Sequence, residues 1–260
     1  MSAPQTHVHS NFGGECFPED IAPYVLLPTD AHQVEILAAQ WQNARQVTRH
    51  YEYLIYTGEY GGLPISACST GIGGVSMATA VEELARLGAH TFISVGLADP
   101  VLGQPELGEL AIATGAVRYD SSSHDYARPE FPALAHHEVV QAAIAAAARH
   151  GGRYEVGVVA SLAAAGLRGR RGDRPVHERR AEARLTELEA AGVLGGSGEE
   201  ATLFVQSAIY GLRAGAIVGC AWDEATGRIN TGVETRALAV ALDAMFALAS
   251  WDRQGLRPPG

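Results

Sequence analysis

Ser69-Thr70-Gly71-Ile72-Gly73-Gly74-Val75-Ser76 decides how this chain is read. The stretch follows the apolar run Leu63–Cys68 and leads into residues 74–87, where Val81, Leu84 and Leu87 recur at helical spacing before Gly88. A strand, a glycine turn and a helix are therefore predicted. Glycines here let backbone approach backbone or ligand closely, and the helix start offers unpaired N–H groups. Taken alone, the turn is also a plain tight strand-to-helix connection. A dinucleotide fingerprint needs G-x-G-x-x-G with a later ribose-binding acid, and a phosphate loop needs a lysine.

Outward from this turn the same alternation recurs. Residues 24–27, 51–56, 63–68, 90–96, 108–117, 154–160 and 214–221 read as strands. Residues 74–87, 136–150, 178–191, 199–211 and 233–251 read as helices, with Pro175 opening the third. The glycine- and arginine-rich residues 166–174 read as a surface loop. An α/β fold is predicted, a mixed sheet flanked by helices over residues 23–252, with an N-terminal arm (1–22) and a tail (253–260). Ligands in such sheets gather at the carboxyl ends of strands, here residues 96–100, 161–165 and 222–224.

All nineteen basic residues are arginine. Without lysine, a Schiff base, a pyridoxal phosphate anchor, a phosphate-loop lysine and a lysine base are excluded. Anions must be held by arginine, backbone N–H or a metal. A net charge of −10 disfavours nucleic acid or an anionic membrane as partner and favours a small-molecule ligand. Cys16, Cys68 and Cys220 lie far apart, suggesting neither a zinc knuckle nor a disulfide framework. No spacing of histidines and carboxylates supports a metal, and no cofactor is expected. The polar N-terminus and the lack of any run near the ~18 apolar residues of a membrane span point to the cytoplasm.

Read with its neighbours, the glycine stretch resembles the signature of the nucleoside phosphorylase family in its uridine phosphorylase branch. Ser69, Gly71, Ile72, Gly73, Ser76, Ala78, Glu83 and Leu84 fit that signature, while Val75 and Thr79 depart from it. Val34-Glu35, Glu52, Phe131-Pro132-Ala133, Glu199 with Ala201-Thr202-Leu203, and Gly211-Leu212-Arg213-Ala214-Gly215 keep the family's order and spacing. The likeness covers nearly the whole chain. It implies a three-layer nucleoside phosphorylase-like fold with a central mixed, partly barrel-like sheet. It also implies a homodimer or higher homo-oligomer whose pockets lie across a subunit pair. The implied chemistry is attack of phosphate on a nucleoside's anomeric carbon as the base departs.

By that resemblance the phosphate site is altered throughout. Thr29 replaces a close-approach glycine, while Gln33, Tyr51 and Ser94 stand at arginine positions, Tyr51 at the one lent by a neighbouring subunit. Gly96-Leu97-Ala98-Asp99 replaces Gly-Thr-Thr-Gly. Arginine–phosphate pairs are charge-assisted and worth about 1.5–3 kcal/mol each, so losing three weakens phosphate binding by orders of magnitude. At the sugar, Glu199 matches the glutamate that accepts the ribose hydroxyls, although a carboxylate at a helix start is equally a simple cap. Gly198 replaces the methionine beneath the sugar. At the base, Arg171 matches a base-contacting arginine, with Gly169 and Ala165 where a glutamine and an aromatic stand. Asp223 or Glu224 would protonate the departing base if burial raises its pKa. His9, with His7, lies near a histidine that reaches a neighbour's sugar. His124-Asp125 is a possible acid–base pair or a surface pair. The expected activity is N-glycosidic cleavage or exchange without phosphate, with Asp30, Gln33 or Asp99 orienting water. The alternatives are a uridine phosphorylase with a rebuilt anion site, or a pocket turned to other chemistry on a small metabolite, or to binding alone.

Overall fold

The computed structural model describes residues 16–98, 105–162, 175–223 and 227–256. After a 3-10 turn at Pro18–Asp20 come β1 (Tyr24–Pro28), α1 (Ala31–Ala38), β2 (Gln42–His50), β3 (Tyr53–Tyr60), β4 (Leu63–Cys68), α2 (Gly74–Arg86) and β5 (Thr91–Ala98). They are followed by β6 (Leu110–Tyr119), α3 (Ser123–Tyr126), α4 (His137–His150), β7 (Tyr154–Leu162), α5 (Pro175–Ala190), β8 (Gly196–Ser197) and α6 (Glu200–Tyr210). The chain closes with β9 (Arg213–Cys220), the ribbon β10 (Trp222–Asp223) and β11 (Arg228–Ile229), and α7 (Gly232–Gln254). Nine strands make one mixed sheet in the order β2-β3-β4-β1-β5-β9-β6-β7-β8. Strands β4, β1, β5 and β9 run parallel, and β6 joins antiparallel to β9. Because β8 pairs with β7 and also lies against β5, the sheet curls back on itself, which matches the partly barrel-like form implied by the resemblance.

Strand periodicity separates two cores. Leu26, Ile93, Val95, Ile112 and Ile217 face α1, α4 and α7, where they meet Val34, Val139, Leu238 and Met245. Val25, Leu27, Phe92, Ala216 and Val218 face the other way onto α2 and α6, among Met77, Val81, Leu84, Leu203 and Phe204. Cys16 and Ile21 pack into this second core, so the described end of the arm is fastened to the domain. On the first face, alanines at 142, 143, 146 and 147 let α4 approach the sheet and α7 closely. A methyl group at Gly215 would come 2.3 Å from Val139 Cγ1, too close to fit without movement. Gly215→Ala is therefore expected to cost about 1–3 kcal/mol, read as a lower denaturation midpoint with an unchanged slope.

The structure departs from the sequence reading at one edge. The predicted strand at 51–56 is Tyr53–Tyr60, and before it runs β2, which was not predicted. Gln42–His50 is polar and mostly exposed because it is an edge strand, which carries charge instead of the alternation of a half-buried strand. Helix α1 was also missed. Asp30 caps it, accepting the His32 N–H at 2.9 Å, and Gln33 returns a bond to the Asp30 N–H at 3.3 Å. Asp30, expected to orient water, thus serves as a cap.

Candidate active site

Several strand ends converge on the glycine turn. The Thr70 N–H donates to Pro28 O and the Gly71 N–H to Thr29 O, each at 3.0 Å, which fastens the turn to the end of β1. Gly71 (φ +68°) and Gly73 (φ +104°) take backbone conformations that side chains disfavour. Ser69 Oγ donates to Glu52 O at 2.5 Å and accepts the Leu54 N–H at 2.8 Å. Ser76 Oγ meets Glu52 Oε1 at 2.8 Å and also the Thr70 carbonyl. Gly74 packs so near α6 that a methyl group there would lie 2.5 Å from Thr202 Oγ1. Thr202 donates to the buried Asp120 at 2.5 Å, and Asp120 also accepts the Ser123 N–H and hydroxyl. The start of α6 is thereby locked to the turn.

Glu199 sits immediately before α6 and is 3% exposed. It makes no side-chain cap bond, so the capping alternative does not describe it. A methyl group at Gly96 would lie 3.9 Å from Glu199 Oε1, placing the carboxylate over the end of β5. Ser94 shares strand parity with Phe92 and Gly96 and so faces the same side as Glu199. It is fully buried, and its hydroxyl has no hydrogen-bond partner among the described residues. Thr29 is half-buried beside the glycine turn, Leu97 is 40% exposed, Ala98 ends β5, and Gly198 is buried between β8 and α6.

Gln33 is buried, but its amide nitrogen donates to Glu234 Oε1 at 2.6 Å, joining α1 to α7. Both ends of that amide are thus engaged within the protein, which departs from the expected ligand contact. Tyr51 is 75% exposed at the β2–β3 turn, with φ +51° and its ring 4.2 Å from that of His50. His124 Nε2 meets the Arg118 carbonyl at 3.2 Å, and the Arg118 guanidinium binds the carbonyls of Ser123, Ala127, Arg128 and Phe131. His124 thus belongs to the scaffold of the 121–131 loop, and Asp125 is exposed beside it. The Asp223 backbone pairs with Arg228 in the β10–β11 ribbon. His9, Asp99, Arg171 and Glu224 lie outside the described residues. Among the described residues no three His, Cys, Asp or Glu side chains come together as metal ligands, and no helix is long and apolar enough to cross a membrane.

Sequence reasoning missed Glu200. It is fully buried, with its Oε2 accepting the Ser197 hydroxyl and, at 3.4 Å, that of Ser161. Burial pushes its carboxyl above the usual range, against hydrogen bonds from Ser197, the Glu200 and Glu199 amides and Ser161. The signal was the doubled acid after Gly-Ser-Gly, since a second glutamate at a helix start normally faces water.

The phosphorylase superfamily model matches residues 23–239. The chain is 41% identical to a uridine phosphorylase of Thermococcus kodakarensis over 96% of its own length and 91% of the relative's. It is 36% identical to a uridine phosphorylase of Treponema pallidum, covering 90% and 92% respectively. A guanosine phosphorylase of Halorubrum lacusprofundi is 29% identical over 88% and 95%.

Proposed function

The chain belongs to the phosphorylase superfamily, and on that premise we propose that it cleaves the N-glycosidic bond of a nucleoside with water, in place of phosphate, replacing the departing base. One observation carries this reading. The segments that converge at the site, residues 28–33, 69–76, 94–98 and 196–203, contain no arginine or lysine and bring the buried carboxylate of Glu199. An anionic nucleophile meets repulsion there, whereas neutral water does not.

In this reading Glu199 accepts the sugar hydroxyls and fixes the anomeric carbon beside the end of β5. The Ser94 hydroxyl and Asp99 hold the attacking water. Asp223 or Glu224, following β9, protonates the base as positive charge develops on the sugar. The products are the free base and the free sugar. Gly198 leaves room beneath the sugar, and Thr29 and Leu97 complete the wall. A homo-oligomer accompanies the proposal, in which Tyr51 and His9 are the residues expected to reach a neighbouring subunit.

Phosphorolysis of uridine is the second reading, favoured by the names of the relatives and by the six arginines of residues 168–180, Arg171 among them, which offer cations from another segment. The two separate in one experiment: purified protein is incubated with uridine and related nucleosides, with and without phosphate, and base and sugar products are followed. Base release with free sugar in phosphate-free buffer is expected. Release that requires phosphate and yields a sugar phosphate overturns hydrolysis, and no release from any nucleoside overturns both.

A further inference from the structure

Glu200 stands one residue beyond Glu199 but in a different setting. Ser161 at the end of β7 and Ser197 in β8 are register partners, both buried, and both hydroxyls approach Glu200 Oε2. Ser161 Oγ also accepts the Ala201 N–H at 2.8 Å, which holds the serine in place. The remaining oxygen, Oε1, is buried and has no hydrogen-bond partner among the described residues.

Among the described residues, the charged groups on neighbouring elements do not neutralise it. Glu199 on α6 is of like charge. Arg118, the register partner of Ser161 on β6, is engaged by Ser123 and loop carbonyls, and Asp120 by Thr202 and Ser123. A fully buried carboxyl with hydroxyl and amide donors, and no cation among the described residues, is shifted toward its neutral form. Neutral, it carries one O–H, and Oε1 is the atom not already accepting. A buried donor lacking an acceptor is costly and is retained in native proteins where something completes it.

We propose that Glu200 is a second substrate-contacting group, a neutral acid that donates a hydrogen bond from Oε1 to an uncharged oxygen or nitrogen acceptor of the nucleoside whose sugar Glu199 holds. The inference rests on the nucleoside-cleaving reading above. The two adjacent acids then divide the work, Glu199 accepting from the ligand and Glu200 donating to it. Ionisation of Glu200 removes the donor and adds a charge, so affinity is present at pH values below its folded pKa and is lost as pH rises through it.

The test compares wild type, Glu200→Gln and Glu200→Ala by pH profiles of kcat/KM for nucleoside cleavage, and by NMR of protein carrying 13C at the glutamate side-chain carboxyls. Subtraction of the Glu200→Gln spectrum assigns the Glu200 signal. The wild-type profile is expected to fall on an alkaline limb that coincides with the Glu200 titration and is absent from Glu200→Gln, whose amide still donates. Glu200→Ala is expected to lose about tenfold in kcat/KM, mainly through KM, and Glu200→Gln to recover part of it. Added uridine should shift the Glu200 signal. A Glu200→Gln profile that keeps the limb, or a Glu200 signal unmoved by any nucleoside that wild type cleaves, overturns the inference and leaves the proposed function standing. A nucleoside that shifts the signal while no nucleoside is cleaved upholds the contact and overturns both cleavage readings.

Discussion

Glu199→Ala is expected to lower kcat/KM for nucleoside cleavage by about 10²- to 10⁴-fold, because two hydrogen bonds to a charged acceptor are each worth about 1.5–3 kcal/mol. The magnitude follows from the position of the carboxylate. Glu199 is buried, lies over Gly96 at the end of β5, and stands against a turn whose backbone is fastened to β1. A sugar held there is held rigidly, so the loss falls on orientation in the transition state as well as on binding. Glu199→Gln keeps one acceptor oxygen and should fall between wild type and alanine. The check is steady-state kinetics beside thermal unfolding of both variants. An alanine variant that unfolds like wild type and cleaves within about twofold of it would remove Glu199 from the site.

What could be read from the sequence followed the range of the interaction. The glycine turn was legible because Gly71, Gly73 and Gly74 sit between an apolar strand and a helical apolar repeat, a pattern complete within residues 63–87. Strands β5 and β9 were legible because their apolar runs are buried on both faces. Edge strand β2 was not, because no core imposes alternation on Gln42–His50. The position of Glu199 was legible through the order of motifs around it, but the state of Glu200 was not. That state depends on Ser161 and Ser197, brought together by the pairing of β7 with β8. Gln33 shows the same limit more sharply. The resemblance led it to be expected at a phosphate site, yet its amide is held by Glu234, 201 residues away, on a helix that only the folded sheet brings near.

Arg213→Met is expected to destabilise the fold by about 3–5 kcal/mol, the cost of leaving a buried charge without its partner, lowering the unfolding midpoint by roughly 6–15 °C. Arg213 begins β9 at the end of the sheet away from Glu199, lining an open cleft of about 470 Å³. Its guanidinium binds Glu138 of α4 at 2.9 Å, Asp252 of α7 at 2.9 and 2.5 Å, and Thr91 Oγ1 of β5 at 3.1 and 2.9 Å. Burial opposes its charge, but Asp252 and Glu138 outweigh burial and hold it protonated more firmly than usual. The side chains of Arg213 and Glu138 are only 16% and 6% exposed, so water cannot replace the lost partner. Adding Glu138→Gln to Arg213→Met should recover part of the loss, because it removes the stranded carboxylate. The same cluster sets a pH window. Burial and Arg213 lower the His90 pKa below 6.5, so stability starts to fall as acidification from that value charges the unfolded chain first. Burial opposes ionisation of Asp252, but Arg213 and Tyr24 hold its pKa below 3.8, so its contribution is lost later, as pH falls through the lowered value. At the alkaline side Tyr24, which donates to Asp252 at 2.6 Å, is pushed up to about 12 by burial and then by Asp252. Its contribution, complete below about 10, disappears as pH rises through 12. Unfolding midpoints measured from pH 3 to 12 should therefore show the acid decline weakened in Arg213→Met, where His90 loses a cation that depresses it and Asp252 loses its partner. A parallel pH dependence in the two proteins would mean that Arg213 does not organise this end of the sheet.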